Sequence, residues 1–378
     1  MSILGTNQRR LLHYNRIVKT WEVVIVGGGV IGLSLAWRLR RDGASVLIVE
    51  KSEPAREATH AAAGMIAHCD PHNPPALAPL IAASARMYPE FVRELREESF
   101  ESPDLRSAGT IAFFGEDESP GCAGARALTD DELARIEPLV SLRGRTYFLP
   151  ESSVDPRKLG SALEKTLRHS GVDFVTGSPV NEVAVLAGRA AGVRTAKSFY
   201  AADAVVNCAG AWASMIQPFG VPTRPVKGQM VCVVPRPGAH RPGPLIQHVV
   251  RTPEVYMVPR SDGRILLGAT VEEAGFDKRV GPDTVQRLHQ AAANVAPAIG
   301  EMRIHEVWAG LRPGSPDDLP ILGPTALPGY FAATGHYRDG IMLAPITAVV
   351  MNQLLRGRKP DFDLRPFSPL RFAANADG

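Results

Sequence analysis

The chain has 378 residues, a length that is typical of about two domains. Its 42 Lys and Arg residues nearly balance 39 Asp and Glu residues, so the formal net charge of +3 argues against nucleic acid binding. Hydrophobic residues make up 45% of the chain, but no apolar run has the length of a transmembrane helix. We therefore expect no stable membrane insertion. The first 20 residues are polar and basic, and we interpret them as an N-terminal extension.

The four cysteines, Cys69, Cys122, Cys208 and Cys232, are far apart in the sequence and form no Cys-x-x-Cys pair. Neither a zinc site nor a disulfide framework is predicted from this spacing, and no metal is expected. The basic N-terminal residues are not followed by the apolar core of a signal peptide. Both features favour a soluble protein in a reducing cytoplasm.

The region from Glu22 to Lys51 predicts a βαβ unit around which the rest of the chain is organised. It consists, in order, of a strand at residues 23–26, a glycine-rich turn at residues 27–32, a helix ending near Gly43 and a strand at residues 46–49. The turn satisfies the G-x-G-x-x-G spacing, which alone is weak evidence. The complete order of elements, with an acidic residue at its end, is typical of dinucleotide-binding proteins.

Four residues of this unit have defined physical roles in dinucleotide binding. Gly27 permits the tight turn, Gly29 lets a pyrophosphate approach the backbone, and Gly32 allows the helix and strand to pack closely. The free amides at the start of the helix face the phosphates. Glu50 can accept hydrogen bonds from both ribose hydroxyls of an adenosine and would repel a 2′-phosphate, which favours FAD or NAD over NADP.

The remaining sequence predicts further helices and strands in two groups. Helices are predicted at residues 80–95, after the pair Thr129-Asp130, after the pair Asp155-Pro156, and at residues 283–295 and 341–355, and strands at residues 109–114, 172–175, 204–210, 230–234, 255–258, 265–268 and 330–335. The buried-looking strand at residues 204–210 ends in small residues. It indicates that the chain returns to the nucleotide-binding domain, which is therefore discontinuous.

Several motifs, in order along the chain, carry a resemblance to a known family. They are the nucleotide-binding stretch ending in Glu50, and the segments at residues 61–65, 209–212, 225–229, 258–260, 268–270, 308–314 and 335–341. From about Trp21 to Leu355 the sequence resembles the D-amino-acid oxidase superfamily of FAD enzymes. Within that superfamily it is similar to the glycine oxidase family associated with thiamine biosynthesis.

The resemblance implies an α/β fold with two domains. One is a Rossmann-like FAD-binding domain of the glutathione-reductase type, discontinuous and formed by residues 21–88, 152–226 and 310–372. The other is a substrate-binding domain, built on an antiparallel or mixed sheet, from residues 89–151 and 227–309. Residues 1–20 form the extension outside both domains.

The resemblance also implies which residues bind FAD. Contacts from the N-terminal part are implied for Gly27, Gly29, Val30, Ile31, Gly32, Glu50, Lys51, Ala58, Thr59, Ala63, Gly64, Met65 and Val180. On the C-terminal side of the flavin they are implied for His336, Tyr337, Arg338, Asp339, Gly340, Ile341 and Met342. The cysteine that carries covalent flavin in sarcosine oxidases is missing near Leu311 to Pro313, so non-covalent FAD is expected.

For the substrate, the resemblance implies that Arg312 grips the carboxylate, with Arg338 and Tyr256 beside it. A guanidinium fork can hold a carboxylate through two hydrogen bonds and so fix the α-carbon relative to the flavin. Structural roles stay open for all three residues: a turn for Arg312, an ion pair or the flavin for Arg338, and strand packing for Tyr256. Val271 stands where the family pattern leads us to expect methionine, so the lining of the pocket can differ.

The implied reaction is FAD-dependent oxidative deamination of glycine or another small amino acid. A hydride passes to the flavin, the imine hydrolyses to an oxo acid and ammonia, and oxygen is reduced to hydrogen peroxide. The alternatives are a D-amino-acid dehydrogenase that uses another electron acceptor, a sarcosine or N-alkyl amino acid oxidase, an FAD enzyme of modified tRNA, and a non-enzymatic flavin-binding protein. The sequence does not decide between a monomer and a homo-oligomer.

Overall fold

The structure is a computed structural model that describes residues 19–218, 220–238 and 244–375. Except for Lys19 and Thr20, the predicted basic extension lies outside these residues. The α-helices are α1 (Val30–Arg41), α2 (Ala58–Ala61), α3 (Ala78–Ser99), α4 (Asp130–Ile136), α5 (Pro156–His169), α6 (Pro282–Val295) and α7 (Gly340–Leu355). Short 3₁₀ helices span Pro75–Leu77, Gly210–Met215, Pro297–Glu301, Arg365–Phe367 and Pro369–Asn375.

The strands form two large sheets and one small one. They are β1 (Thr20–Val26), β2 (Val46–Val49), β3 (Met65–Ile66), β4 (Thr110–Phe114), β5 (Arg126–Leu128), β6 (Arg145–Leu149), β7 (Ser152–Ser153), β8 (Asp173–Val175), β9 (Val180–Leu186), β10 (Arg189–Thr195), β11 (Phe199–Asn207), β12 (Arg224–Val234), β13 (Val249–Arg251), β14 (Tyr256–Pro259), β15 (Ile265–Gly268), β16 (Arg303–Gly314), β17 (Ile321–Pro324) and β18 (Tyr330–Thr334).

The first large sheet has a parallel centre in the order β8-β2-β1-β11-β18. β17 adds an antiparallel edge beside β18, and the hairpin of β9 and β10 extends from the start of β11. Val24 of β1 lies opposite Val205 of β11. The chain thus returns, with β8 and then β11, to the sheet in which the glycine-rich turn lies, more than 120 residues after β2.

Alternate residues of β1 belong to two separate cores. Val23 and Ile25 pack among the apolar residues of α1, α3, α5 and α7, while Val24 and Val26 pack with residues of the β9–β10 hairpin such as Val193. A strand that is covered on both faces reads as a continuous apolar run, as residues 23–26 do. The position of β1 in the centre of the sheet explains that run.

The second large sheet has the order β16-β12-β15-β14-β13-β4-β6-β5. It is mixed, because β13 and β4 are parallel while the other neighbours are antiparallel. One face packs on α6 through residues such as Val231 and Leu288. On the opposite face, Met230 and Val258 pack with Ala63, which follows α2. The second sheet therefore meets the nucleotide-binding part through this face.

The predicted domain boundaries after residues 226 and 309 fall inside two paired strands. Lys227 of β12 lies opposite Leu311 of β16, and both strands belong to the second sheet along their whole length. The two strands thus join segments that the sequence assigns to different domains. The division of the chain into domains stays a prediction.

Two helix starts have the capping predicted from the sequence. The Asp155 carboxylate accepts hydrogen bonds from the backbone amides of Arg157 and Lys158, and Pro156 is the first residue of α5. Thr129 and Glu132 form a reciprocal capping box at the start of α4. These local signals are confirmed.

The expectation of four unpaired cysteines is wrong. Cys69 and Cys122, which are 53 positions apart in the sequence, form a disulfide, while Cys208 and Cys232 are free and buried. The ligand-type atoms of His68 and the two bonded cysteines lie within 4.8 Å of one another. A disulfide sulfur is not a thiolate ligand, so the bonded pair does not form a metal centre.

No helix within the described residues combines the length and the apolar character needed to cross a membrane.

Candidate active site

A cavity of about 580 Å³ lies between the nucleotide-binding part and the second sheet. Its lining comes from the start of α1, from α2 and the loops around it, from β13, β14 and β16, and from the start of α7. Arg312, Arg338 and Tyr256 all line this cavity. The structure thus brings together the three residues for which the sequence implied substrate contacts.

The glycine-rich turn contains two positions where only glycine fits. A Cβ on Gly32 would lie 2.1 Å from the carbonyl oxygen of Gly27, and a Cβ on Gly27 would lie 2.5 Å from that of Cys208. Gly27 also has a φ of +104°. Gly29 is open by comparison, because its nearest neighbour would be Thr59 Oγ1 at 3.5 Å. Gly29 is therefore the position of the turn where a ligand can approach the backbone.

Glu50 lies directly beside this turn at the end of β2. Its side chain is buried, with Oε2 accepting a hydrogen bond from the Gly28 amide at 2.7 Å and Oε1 accepting one from the Ser52 amide at 2.9 Å. A carboxylate has about four acceptor positions, so two bonds leave capacity for ribose hydroxyls. The backbone thus holds Glu50 where the adenosine end of a dinucleotide is expected.

Five of the predicted FAD residues do not line the cavity: Gly27, Gly32, Glu50, Lys51 and Val180. Lys51 pairs with Glu57 at 2.5 Å and lies 3.9 Å from the ring centroid of Trp212. Val180 begins β9 opposite Thr195. The other predicted residues do line the cavity: Gly29, Val30, Ile31, Ala58, Thr59, Ala63, Gly64, Met65, His336, Tyr337, Arg338, Asp339, Gly340, Ile341 and Met342.

The start of α7 forms the opposite wall. Its first amides have no partner within the helix, since the first bond to the preceding turn is from Leu343 to Asp339. The Tyr337 amide donates to the Pro313 carbonyl at 2.9 Å, which joins this wall to β16. Burial raises the pKa of Asp339 to about 6, although Arg338 opposes the rise. A helix start of this kind favours a group with negative charge.

His336 is a buried residue of the same wall. Its Nε2 lies 3.1 Å from Thr347 Oγ1, and its Nδ1 is buried without a hydrogen-bond partner among the described residues. Burial lowers the pKa of His336 to about 3, so the imidazole is neutral at ordinary pH. A buried nitrogen that lacks a partner is a position that a ligand can satisfy.

These features fit FAD. The glycine-rich turn and the start of α1 suit a pyrophosphate, and Glu50 suits an unphosphorylated ribose. The small side chains at residues 61–64 leave space for a flat ring, and a Cβ on Gly64 would lie 2.0 Å from the Val154 carbonyl. The start of α7 and the unpartnered His336 Nδ1 complete the wall on the other side.

Arg312 is held in the cavity wall by the second sheet. Its Nη1 donates to the Thr270 carbonyl at 3.0 Å and to the Lys227 carbonyl at 3.3 Å. A Cβ on Gly228 would lie 2.5 Å from the same nitrogen, so the glycine makes room for the guanidinium. Of the five donors of a guanidinium, most remain for other partners. The head group is thus oriented but not saturated.

Tyr256 lies beside Arg312 at the start of β14. Its hydroxyl is 3.3 Å from Met230 Sδ, and a Cβ on Gly268 would lie 2.6 Å from its ring. Burial raises the pKa of Tyr256, and the neighbouring Arg312 opposes that rise. The phenol therefore stays protonated and can donate a hydrogen bond next to the arginine.

Arg338 is exposed to the cavity. No hydrogen bond or ion pair joins it to another residue in the described part of the chain, but its charge lowers the pKa of both Asp70 and Asp339. Its guanidinium is therefore available to an anionic ligand.

Several residues of the wall were missed from the sequence. Asp70, His72, Glu118 and Arg251 line the cavity and form a charged group around its second-sheet side. No sequence motif marks them, because they lie in loops and in a short strand that only the tertiary fold brings together. Gly228 lies within a motif that was recognised at residues 225–229, but its contact with Arg312 depends on the pairing of β12 with β16.

Residues 22–354 match the family described as "DAO: FAD dependent oxidoreductase". The chain belongs to this family. The prediction of an FAD-dependent oxidoreductase is thereby confirmed; that the cofactor is held non-covalently stays a prediction.

Similar proteins give the same picture in more detail. The chain is 35% identical over 358 residues to the bifunctional protein ThiO/ThiG of Synechocystis sp.. This alignment covers 93% of this chain but only 54% of that protein. The chain thus spans about half the length of that relative. It is 32% identical over 409 residues to the hydrogen cyanide synthase subunit HcnC of Pseudomonas aeruginosa, covering 94% of this chain and 97% of that protein.

A crystal structure of glycine oxidase from Geobacillus kaustophilus superposes on this chain with a TM-score of 0.85 at 31% sequence identity. The match covers 93% of this chain and 99% of the other. The predicted α/β FAD-binding fold and the resemblance to glycine oxidases are confirmed.

Proposed function

We propose that this chain oxidises glycine or another small amino acid to the imine, which hydrolyses to the oxo acid and ammonia, with oxygen as the electron acceptor. We further propose that the reaction serves thiamine biosynthesis, because a relative carries the name ThiO/ThiG. The observation that carries the proposal is the pair Arg312 and Tyr256 in the wall of the cavity that fits FAD.

In this proposal the second sheet binds and orients the substrate. The Arg312 fork holds the α-carboxylate through two hydrogen bonds, and the protonated Tyr256 phenol donates a third. Holding the carboxylate at one end fixes the α-carbon at the other, and such positioning is worth several powers of ten in rate.

Bound FAD supplies the hydride acceptor for this chemistry. The chain has to deliver the amine in its neutral form, and the positive charges of Arg312 and Arg338 favour loss of the ammonium proton. His336 is not needed as a base, since its Nε2 already pairs with Thr347 and burial keeps its pKa near 3. Orientation and electrostatics are therefore the contribution of this site.

A second candidate function follows from the similarity to HcnC, which extends over 97% of that protein. In that case the chain would be one subunit of a larger enzyme whose product is hydrogen cyanide. The dehydrogenase and the N-alkyl amino acid oxidase are further alternatives. They differ from the proposal in electron acceptor and in substrate, respectively.

The proposal is tested by a product balance on the purified FAD-loaded protein with glycine in air. We expect one oxo acid, one ammonia and one hydrogen peroxide for each oxygen consumed. Cyanide in the headspace would favour the HcnC-like function instead. Turnover with an artificial electron acceptor, without consumption of oxygen, would favour the dehydrogenase. A preference for sarcosine or N-ethylglycine would identify an N-alkyl amino acid oxidase.

A further inference from the structure

Arg251 is a third arginine of the cavity wall, and no role in the proposed reaction uses it. It ends β13 and lies directly opposite Tyr256 in the antiparallel pair of β13 and β14. Directly opposite residues of two strands point to the same face of a sheet. Arg251 therefore lies one strand beyond Tyr256 on the face that carries Arg312, and its side chain is only 14% exposed.

The pairing of Arg251 is incomplete. Its Nη1 lies 3.4 Å from Asp70 Oδ2 and 3.9 Å from Glu151 Oε2, whereas strong bonds between a guanidinium and a carboxylate measure about 2.7 to 2.9 Å. Its Nη2 is buried and has no hydrogen-bond partner within the described residues. A buried donor of a charged group without an acceptor is costly. The position therefore suits an anionic ligand.

The neighbouring acidic groups are already engaged elsewhere. Glu151 Oε1 accepts from the Cys69 amide at 2.9 Å, and Asp70 Oδ1 accepts from the His72 amide at 2.9 Å. Glu118 lies 3.2 Å from His72 Nε2. These contacts hold the carboxylates in their loops. The oxygens that face Arg251 are the other two, Asp70 Oδ2 and Glu151 Oε2, and they stay beyond the length of a strong bond.

Positive charge at this end of the cavity is reinforced by Arg338. Both Arg251 and Arg338 lower the pKa of Asp70, so both guanidinium groups lie near this single carboxylate. Glu151 beside Arg251 and Asp339 beside Arg338 are further acidic groups of this region. The open hydrogen-bonding capacity of Arg251, and not a net positive charge, is therefore what favours an anionic ligand here.

We propose that Arg251 forms a second anion subsite, so that the enzyme accepts amino acids that carry a second carboxylate in addition to the one held by Arg312. Such a substrate would lie across the row formed by Arg312, Tyr256 and Arg251, with its amine between its two acidic ends. Oxidation of such a substrate rests on the proposed function. Binding of a second carboxylate rests only on the geometry of Arg251.

Binding is tested first, with ligands that lack an amine and cannot be oxidised. The dissociation constants of succinate and of propionate are measured by titration calorimetry on the FAD-loaded protein. We expect succinate to bind more tightly than propionate, and Arg251→Gln to weaken succinate about 10- to 100-fold while the constant for propionate changes less than about 3-fold. Arg251→Lys should recover part of the loss, because it restores the charge without the fork.

The matched control is Arg194→Gln, which removes an exposed arginine paired with Glu182 on the β9–β10 hairpin. It should leave the ratio of the two dissociation constants unchanged. Equal binding of succinate and propionate to the wild type, or the same succinate affinity in Arg251→Gln, would overturn the subsite. If Arg251→Gln does not fold, the test rests on Arg251→Lys alone. Because lysine lacks the guanidinium fork, this variant must still bind succinate more weakly than the wild type if the subsite exists.

Turnover is tested second, with N-(carboxymethyl)glycine and with N-ethylglycine, which has similar length and no second charge. Both lack a stereocentre, so chirality does not enter. We expect Arg251→Gln to lower the ratio of kcat/KM for the dicarboxylate to that for N-ethylglycine about 10- to 100-fold. Arg251-dependent succinate binding without oxidation of any amino acid would refute the proposed function and leave the subsite standing. Oxidation of glycine, together with a kcat/KM ratio that Arg251→Gln leaves unchanged, would support the proposed function and refute the subsite.

Discussion

At the scale of single residues, the position of Arg312 depends on a glycine in the neighbouring strand. A Cβ added to Gly228 would lie between 2.5 and 2.7 Å from three atoms of the guanidinium. The atoms that would have to move are the end of a flexible side chain and not the backbone. The sheet can therefore accept the extra methyl group, but the Arg312 guanidinium has to leave its observed position.

We predict that Gly228→Ala retains FAD and the fold but lowers kcat/KM for glycine by about one to two powers of ten, because a displaced guanidinium loses part of its bidentate contact. The measurement is steady-state kinetics on protein with a verified flavin content. Gly281→Ala is the matched control, since the nearest atom to its Cβ would be 3.7 Å away at the start of α6. Equal activity of both variants would show that Arg312 is not confined as the structure indicates.

His336 gives the second prediction at this scale. Its pKa is about 3 in the folded protein because of burial, against about 6.5 in an unfolded chain. Below pH 6.5 the unfolded chain therefore binds a proton that the folded protein excludes. The free energy of unfolding falls by up to about 1.4 kcal/mol for each pH unit as the pH decreases from about 6.5 toward 3.

We predict that His336→Gln, which has no such proton to exclude, loses less stability on acidification. The difference between the unfolding free energies of variant and wild type should change by about 2 kcal/mol in favour of the variant from pH 7 to pH 5. Denaturant unfolding of the FAD-loaded proteins at both pH values measures this change. A difference that is the same at pH 7 and pH 5 would mean that His336 is protonated in the folded state.

At the scale of elements, local signals and long-range pairing differ in what the sequence reveals. The capped starts of α4 and α5 could be predicted because the side chain and the amides it binds lie within three residues. The twelve-residue strand β16 could not be predicted, because its first three residues, 303–305, are all exposed and show no buried face. Its partner β12 also lies roughly 70 to 90 positions away along the chain. Its function as the support of Arg312 appears only once the two strands are paired.

The disulfide is also a long-range feature, and it gives a prediction at this scale. Cys69 and Cys122 join the loop after β3 to the loop after β4, and both loops contribute residues to the cavity wall. Under denaturing, non-reducing conditions, we expect two reactive thiols, those of Cys208 and Cys232, and four after reduction. Ellman titration of the wild type and of Cys69→Ser measures this. Four thiols without reductant would show that the bond does not form.

At the scale of the whole molecule, the sequence predicted the α/β fold and the FAD-binding function because both depend on an ordered set of local motifs. The glycine-rich turn, the acid after β2 and the motif that contains Arg312 are readable in the chain. The charged group around Arg251 and Asp70 was not, because it combines a strand end of the second sheet with a loop that follows β3. The motifs of the FAD-binding part are therefore mainly local in sequence, whereas this part of the cavity wall depends on non-local contacts.

The account as a whole depends on Arg312 as the residue that holds the substrate carboxylate. The most direct test is the rate at which flavin absorbance is lost when FAD-loaded protein is mixed anaerobically with a substrate. The proteins to compare are the wild type, Arg312→Ala and Arg312→Lys, each with glycine and with a small amine that has no carboxylate. The flavin content of each protein is determined beforehand.

We predict that Arg312→Ala slows reduction by glycine about 10²- to 10⁴-fold, because hydrogen bonds to charged groups contribute about 1.5 to 3 kcal/mol each and their loss also misplaces the α-carbon. Arg312→Lys should recover only part of the rate. The amine without a carboxylate should reduce the flavin of all three proteins at similar, slow rates. Equal losses for glycine and for the amine would contradict the account and assign Arg312 to the flavin or to the fold.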